Sequence, residues 1–561
     1  QVLPTTVQGV LAARIDRLAP DEKALLQQLA VIGRDFPLGL VRQVIAQPDD
    51  DLYRRLSSLQ HKEFLYEQPA FPEVEYLFKH ALTQEVAYNS VLIERRKALH
   101  EQIGQAIEHL YYDRLDERYS ELAHHYQRSS NTEKAIEYLQ KAGQQAVQRP
   151  ANEEAISHLT TALELLKTLP DTPERAQQEL MLQLGLGVPV LAIRGLSAPQ
   201  LESIYVRARD LCRQVGETPE LSSILAGLAG FHLLRAEFQV TSELGEQILT
   251  LAQKKQDSLL LTTARWALGT PLFWRGELVA AREQLEQGIA LYPQWQPRHQ
   301  GALGADSMMF CLFLTSYTLW HLGYPDQALK RNQEGLALAR ELAHPHGLAT
   351  GLNFTCRFYQ LSREVRATQE RAEALMTLAM EQGFAQWLAL GTFHRGWTLT
   401  EQGQMEDGIA QMDKGLGTYR SNGTKLGQVV SLALLAEKYG KADRAEEGLR
   451  VLAEAIAAMN DTEERNYEAE LYRLKGELTL QKGTRDWGLG DGEGKSPASE
   501  NPSPQSLAPN PQAEAEACFL KALDVARQQQ ANSLELRATV SLARLWQSQG
   551  KTTEAHRMLS D

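Results

Sequence analysis

The chain has 561 residues, 43% of them hydrophobic, 7% aromatic and 23% charged, with a formal net charge of −13. That length exceeds what one hydrophobic core fills, so several domains or a repeat array are expected. No apolar run reaches the roughly 18 residues that a membrane span needs, and the acidic balance argues against non-specific binding to nucleic acid or anionic membranes.

The sequence opens at Gln1 in mid-helix, which predicts a natural N-terminus further upstream. Residues 5 to 18 read as a helix with Val7, Val10, Leu11, Ile15 and Leu18 on one face, ended by Pro20. Asp21 is expected to cap a second helix reaching Gly33, followed by helices over Phe36 to Ile45 and Asp51 to Leu59. The period then changes. Glu63 to Glu67 and Glu75 to Lys79 are short, aromatic and β-prone, so three helices lead into a β-hairpin, a winged-helix arrangement. Helix 49–60 offers Arg54 and Arg55 to a DNA groove but begins with Asp49, Asp50 and Asp51, which repel phosphate. Internal packing is the plainer role for it.

A long helical stretch from Lys79 leads to a ladder of small and apolar residues, Leu122, Ala123, Tyr126, Ala135, Leu139 and Ala142. Residues 174 to 215 form a divergent pair whose Gly and Pro predict a kinked or short helix. The clearest unit is ARWALGTPLFWRGELVAAREQLEQGIALYP, residues 264 to 293. Leu268, Gly269, Leu272, Ala281, Leu285 and Gly288 flank a turn at Gly276, and Pro293 closes the unit. This resembles the tetratricopeptide (TPR) ladder. Equivalent turns fall at Ala236, Gly323, Ser362, Gly403, Asp443, Gly483 and Gly550, at steps of about 40 residues apart from the last. That last step holds a Gly-, Ser- and Pro-rich stretch, read as an insertion within a repeat. The chain stops at Asp561 inside a unit, so a continuation is expected.

Catalytic signatures are sparse. Gly490-Asp-Gly-Glu-Gly494-Lys495-Ser496 resembles a phosphate loop, but Gly490 stands one residue too close, no strand precedes it and Pro497 follows, so it reads as linker. His80, His100, His124, His125, His344 and His346 lie in no metal-ligand pattern. Cys212, Cys311, Cys356 and Cys518 are far apart and read as reduced thiols of a cytoplasmic protein. No catalytic, cofactor-binding or metal-binding residue is assigned. Were the units to pack as TPRs do, their first helices would line a concave face with Trp266, Phe273, Trp274, Tyr317, Trp320, His321, Tyr359 and Trp397. Such aromatics suit capture of a peptide or helix, and equally suit packing between neighbouring units.

The segments LPTTVQGVLAARIDRLAPDEKALLQQLAVIGRDFPL and FPEVEYLFKHALTQEVAYNSVLIERRKALHEQIG, with GYPDQAL, LAEKYGKADRAEEGL and AELYRLKGELTL, resemble one group. These are bacterial signalling proteins that join a class III adenylate/guanylate cyclase, an AAA- or STAND-type ATPase and a TPR array. The resemblance implies an ATPase tail over 1–20, a winged-helix domain over 21–112, a TPR-like solenoid over 113–483, a disordered insertion over 484–512 and the end of the solenoid over 513–561. The implied fold class is all-α, a superhelical solenoid of about 40-residue repeats after a small winged-helix domain with one β-hairpin. The implied role is regulatory. The solenoid would sense a protein or peptide and the winged helix would relay this to upstream domains, where ATP and Mg would bind. Small-ligand sensing, as in the solenoids of maltose-type transcription activators that the array also resembles, and DNA binding through the winged helix stand as alternatives.

Overall fold

The computed structural model describes residues 5–45, 47–69, 73–149, 151–195, 197–216, 218–291, 302–421, 423–488 and 510–560. These form 27 α-helices and one small sheet, in two compact units, Gln1–Pro189 and Val190–Asp561. The fold is all-α, a TPR-like stack of helix hairpins preceded by a small domain with winged-helix element order.

In the first unit, helices Pro20–Ile32, Leu38–Ile45 and Asp49–His61 surround an antiparallel sheet of β1 (Asp35–Pro37), β2 (Leu65–Gln68) and β3 (Glu75–Phe78), in the order β1-β3-β2. Leu52, Leu56 and Leu59 recur at helical spacing on Asp49–His61 and are buried with Leu25, Leu29, Phe36 and Phe78. Three sequence expectations are corrected here. Phe36 belongs to β1, paired with Tyr76, and not to a helix; a three-residue strand is too short to show alternation. Pro20 begins the second helix instead of ending the first, as its fixed φ suits a first helical position. The cap there is Ala19, whose N–H donates to the Glu22 carboxylate at 3.3 Å, and not Asp21. Beyond the sheet, Tyr119–Gln127 and Thr132–Gln148 form a hairpin, with Asn131 accepting from the Lys134 N–H at 3.1 Å as its cap.

Helix Pro173–Arg194 runs 22 residues through Pro189, so the expected shortening does not occur. In the second unit the hairpins follow one another from Leu221 to Ser560. The left-handed residues that end their first helices are Ala236, Gly276, Gly323, Arg363, Gly403, Asp443 and Gly550. The turn expected at Ser362 therefore sits one residue later. Gly483 is not a turn at all: it lies inside helix Glu468–Gly488, where an added Cβ would come within 2.6 Å of Pro511. Helix Pro511–Gln528 completes that hairpin, and the phosphate-loop lookalike, most of the expected insertion and Pro293 fall outside the described residues.

Candidate functional site

The first helices of the second unit carry an aromatic ladder. The Trp266 ring stacks on Phe310 at 5.6 Å, Phe310 meets Phe354 at 5.8 Å, and Phe354 stacks on Phe313 at 5.2 Å and Tyr317 at 5.6 Å. Phe273 meets Tyr317 at 6.0 Å and His321 at 5.8 Å. Of the eight aromatic positions singled out by the sequence, Trp266, Phe273, Tyr317, Trp320, His321 and Trp397 are buried. Trp274 and Tyr359 are half-buried. The six buried rings pack between hairpins. The Tyr317 hydroxyl is committed to the Phe354 carbonyl at 2.7 Å, and burial pulls His321 down to about 4, so it is neutral.

Past the ladder the same wall turns polar. Read at a 40-residue step, one column of the first helices runs Tyr317, Arg357, Trp397, Glu437, Glu477. Around it lies an ion-pair network. Arg363 donates to Glu437 at 2.9 Å, while Lys438 and Lys441 both bond Glu401. Burial pushes Glu401 up, but the Lys438 and Lys441 contacts outweigh it and hold the carboxyl at about 2. Burial draws Lys438 down to about 8, with Glu437 and Glu401 opposing, which leaves it charged at neutral pH against the Trp397 ring at 4.9 Å. Further on, Arg473 makes two bonds of 2.8 Å to Glu470, and Arg537 approaches the same carboxylate at 3.3 Å. Burial opposes these pairings, yet Glu470 stays ionised at about 2.

Arg357 differs from its charged neighbours. It donates through one Nη to Ser431 at 3.0 Å and lies 5.9 Å from the Phe393 ring, while its other Nη is buried with no hydrogen-bond partner. Among the described residues it makes no ion pair. Next to it, His394 bridges Gln360 at 3.1 Å and Asn353 at 3.0 Å, and burial keeps the imidazole neutral. A neutral ring donates from one nitrogen only, so one of those amides turns its NH2 group inward. Glu464 is fully buried and burial raises it to about 8, against the lowering effect of the Gly427 N–H, which lies 3.0 and 3.1 Å from its two oxygens.

The wall is closed by contacts from the following winding of the chain. The last carbonyls of a helix lack internal partners and carry partial negative charge. Here they are met by donors far along the sequence. The Leu234 carbonyl accepts from the Lys425 and Leu426 N–H groups at 2.8 and 3.0 Å, and that of Trp274 from Arg465 and Asn466 at 2.7 and 3.1 Å. The Trp320 carbonyl accepts from Ser533 Oγ at 2.5 Å, Leu322 from Asn532 at 3.0 Å and Leu361 from Arg537 at 2.9 Å.

Other candidates resolve more simply. The winged-helix arginines are occupied: Arg54 pairs with Asp51 at 2.6 Å, Arg55 bonds Gln47 at 2.9 Å, and Arg42 bonds Tyr53 at 2.5 Å. His100 and His125 face each other at 3.0 Å in the first unit, with Tyr88 on the far nitrogen of His100. His80 caps no helix through its side chain, and His344 accepts from the Gly347 N–H at 3.3 Å beside His346. Among the described residues no three His, Cys, Asp or Glu are placed to hold a metal ion, and no helix is long and apolar enough to cross a membrane. The four cysteines are buried free thiols. Sequence reasoning missed Arg357, Gln360, His394, Glu464 and the ion-pair network. The 40-residue column of non-aliphatic residues is the signal that could have found the first of them.

No family model matches the chain. An uncharacterized protein of Rhizobium meliloti (strain 1021) is 24% identical over 491 residues, covering 85% of this chain and 47% of its own, so the chain spans about half the length of that curated relative. Among solved structures, a Rap protein complexed with competence and sporulation factor aligns at 10% identity and a TM-score of 0.42, over 75% of this chain and 99% of its own. The apo quorum sensor NprR of B. thuringiensis aligns at 13% and 0.40, over 69% and 97%. A STAND protein with a tetratricopeptide repeat sensor from Pyrococcus horikoshii aligns at 12% and 0.35, over 100% of this chain and 66% of its own.

Proposed function

We propose that this chain is a non-catalytic regulatory region of a multidomain signalling protein. Its repeat unit senses a partner, and its winged-helix unit passes the signal to ATPase and cyclase domains that lie upstream, where ATP and Mg would bind. On this reading the protein works in the cytoplasm. The observation that carries it is the composition of the inner wall. Hairpin stacking needs only apolar and small residues, yet Gln360, His394 and Glu464 sit buried on that wall and Arg357 and Glu437 half-buried, where polar groups are costly unless they recognise or couple something. A sensor needs two states that its ligand distinguishes, and the donor-to-carbonyl contacts between windings are bonds that can open and close as a set. The test is turnover: the purified chain should neither hydrolyse ATP nor form cyclic nucleotide, and stoichiometric turnover of either would overturn the reading. Sensing of a small ligand in place of a protein is favoured by one observation, the Arg357 Nη that is buried with no hydrogen-bond partner.

A further inference from the structure

Arg363, Lys438 and Lys441 share Glu401 and Glu437, and Arg473 and Arg537 share Glu470. Arg357 has no such ion pair among the described residues, and burial lowers its guanidinium below the usual value, with Tyr317, Tyr419, Tyr467 and Glu464 opposing, so it stands in a poorly solvated space. A buried cation without a counter-ion is costly enough that proteins seldom keep one without use. The groups around it make no hydrogen bond or ion pair with its free Nη. The Tyr317 and Tyr419 hydroxyls donate to the Phe354 and Leu426 carbonyls, and the Glu464 carboxyl, raised by burial against the pull of Gly427 and of Arg357 itself, accepts from the Gly427 N–H.

We propose that Arg357 is the anchor of an interior site for a carboxylate, held by the free Nη of the guanidinium and seated among aromatic rings. One Nη is already spent on Ser431, so the remaining donor edge suits one planar carboxylate. The walls support an apolar body behind that head: Phe393 lies 5.9 Å from the guanidinium, and Phe354 and Tyr317 belong to the adjoining ladder. Two further polar groups on the first helices of this unit lack partners. Trp397 Nε1 is fully buried and unpaired, and Gln360, one turn from Arg357 and bonded to His394, leaves one end of its amide unpaired whichever way it is turned. The carboxylate can belong to a free organic acid or to the C-terminus of a peptide. This inference rests on the sensing reading but fails separately: nucleotide turnover would remove that reading without touching acid binding, and loss of acid selectivity would remove only this site.

The test uses the full chain, with calorimetry and thermal shift as readouts. Benzoate is compared with benzamide, and the tripeptide Ala-Ala-Phe as free acid with its C-terminal amide. The free acids should bind at least about tenfold more tightly than their neutral counterparts. Arg357→Gln should lose at least about tenfold in acid affinity while melting at or above the wild-type temperature, because it removes a buried unpaired charge. Arg357→Lys should retain part of the affinity, and Arg366→Gln, on an almost fully exposed side chain, should change nothing. Preference for benzoate assigns the site to small acids; preference for the tripeptide acid assigns it to a peptide terminus. Equal binding of acid and amide, undiminished binding by Arg357→Gln, or no binding of either acid up to about 10 mM, near the weakest affinities of specific complexes, overturns the proposal.

Discussion

Glu464 and the His100–His125 pair contribute to stability with opposite dependence on pH. Burial raises Glu464 to about 8, so between its ordinary value near 4.5 and 8 the folded state binds a proton that the unfolded state has lost. The Glu464 contribution to stability therefore falls as pH rises across that window and levels off above it. Glu464→Gln should flatten this slope and raise stability at pH 9 by a few kcal/mol, at about 1.4 kcal/mol for each tenfold difference in proton affinity between the folded and unfolded chain; urea titrations at pH 5 and pH 9 check it. The histidines work the other way. Burial lowers His100 to about 3, with His124, Arg128 and Arg96 adding, and lowers His125 well below the ordinary value of 6.5. Unfolded, they take up protons that the folded unit refuses. Their contribution is complete above pH 6.5 and is lost as pH falls through it, and the buried His321, His346 and His394 add a loss of the same sign in the second unit. His100→Phe or His125→Leu should reduce that acid sensitivity.

At the scale of the element, the hairpin of Ala385–Glu401 and Met405–Ser421 is held by backbone approach. A Cβ on Gly396 would lie 2.6 Å from the Gly408 carbonyl oxygen and 2.8 Å from the Met412 nitrogen. Neither can swing aside as a side chain would, so Gly396→Ala should destabilise by about 2 kcal/mol or more. Gly417, on the exposed face of Met405–Ser421 with open space around it, is the control: Gly417→Ala should gain about 0.5–1 kcal/mol by helix propensity. Thermal melts of the two variants should move in opposite directions. The same chemistry explains what the sequence revealed. The turns at Gly276, Gly323, Gly403 and Gly550 were legible because a left-handed residue that ends a helix favours glycine. At Arg363 no glycine marks that residue, and the reading slipped by one. Gly483 misled because its missing side chain serves close approach to Pro511 and not a positive φ. The aromatics were visible, their burial was not: periodicity places a residue on a helix face but does not say what covers that face. Arg357 was hidden for the same reason, since a lone charge in an apolar helix reads as surface until the following winding is seen to enclose it.

At the scale of the whole second unit, stability is shared between neighbouring hairpins and contacts that join residues 176 to 213 positions apart. The combined variant Asn532→Ala, Ser533→Ala, Arg537→Ala removes the donors to Leu322, Trp320 and Leu361 while leaving each hairpin its own packing. Circular dichroism should show near-native helicity, whereas limited proteolysis should cut the 529–537 segment faster than in the wild type. Loss of helicity in proportion to loss of protection would mean that these contacts hold the hairpins themselves.

Those same contacts restrict how such a sequence can change. Repeat proteins commonly lengthen or shorten by copying or dropping whole modules, since each module touches only its neighbours. Between Leu234 and Arg537 that freedom is closed: adding or deleting one module would present every acceptor carbonyl to the wrong loop, one step out of phase. The number of modules in this interval is thus as much a part of the design as any residue, and whole modules can be gained or lost only beyond its two ends.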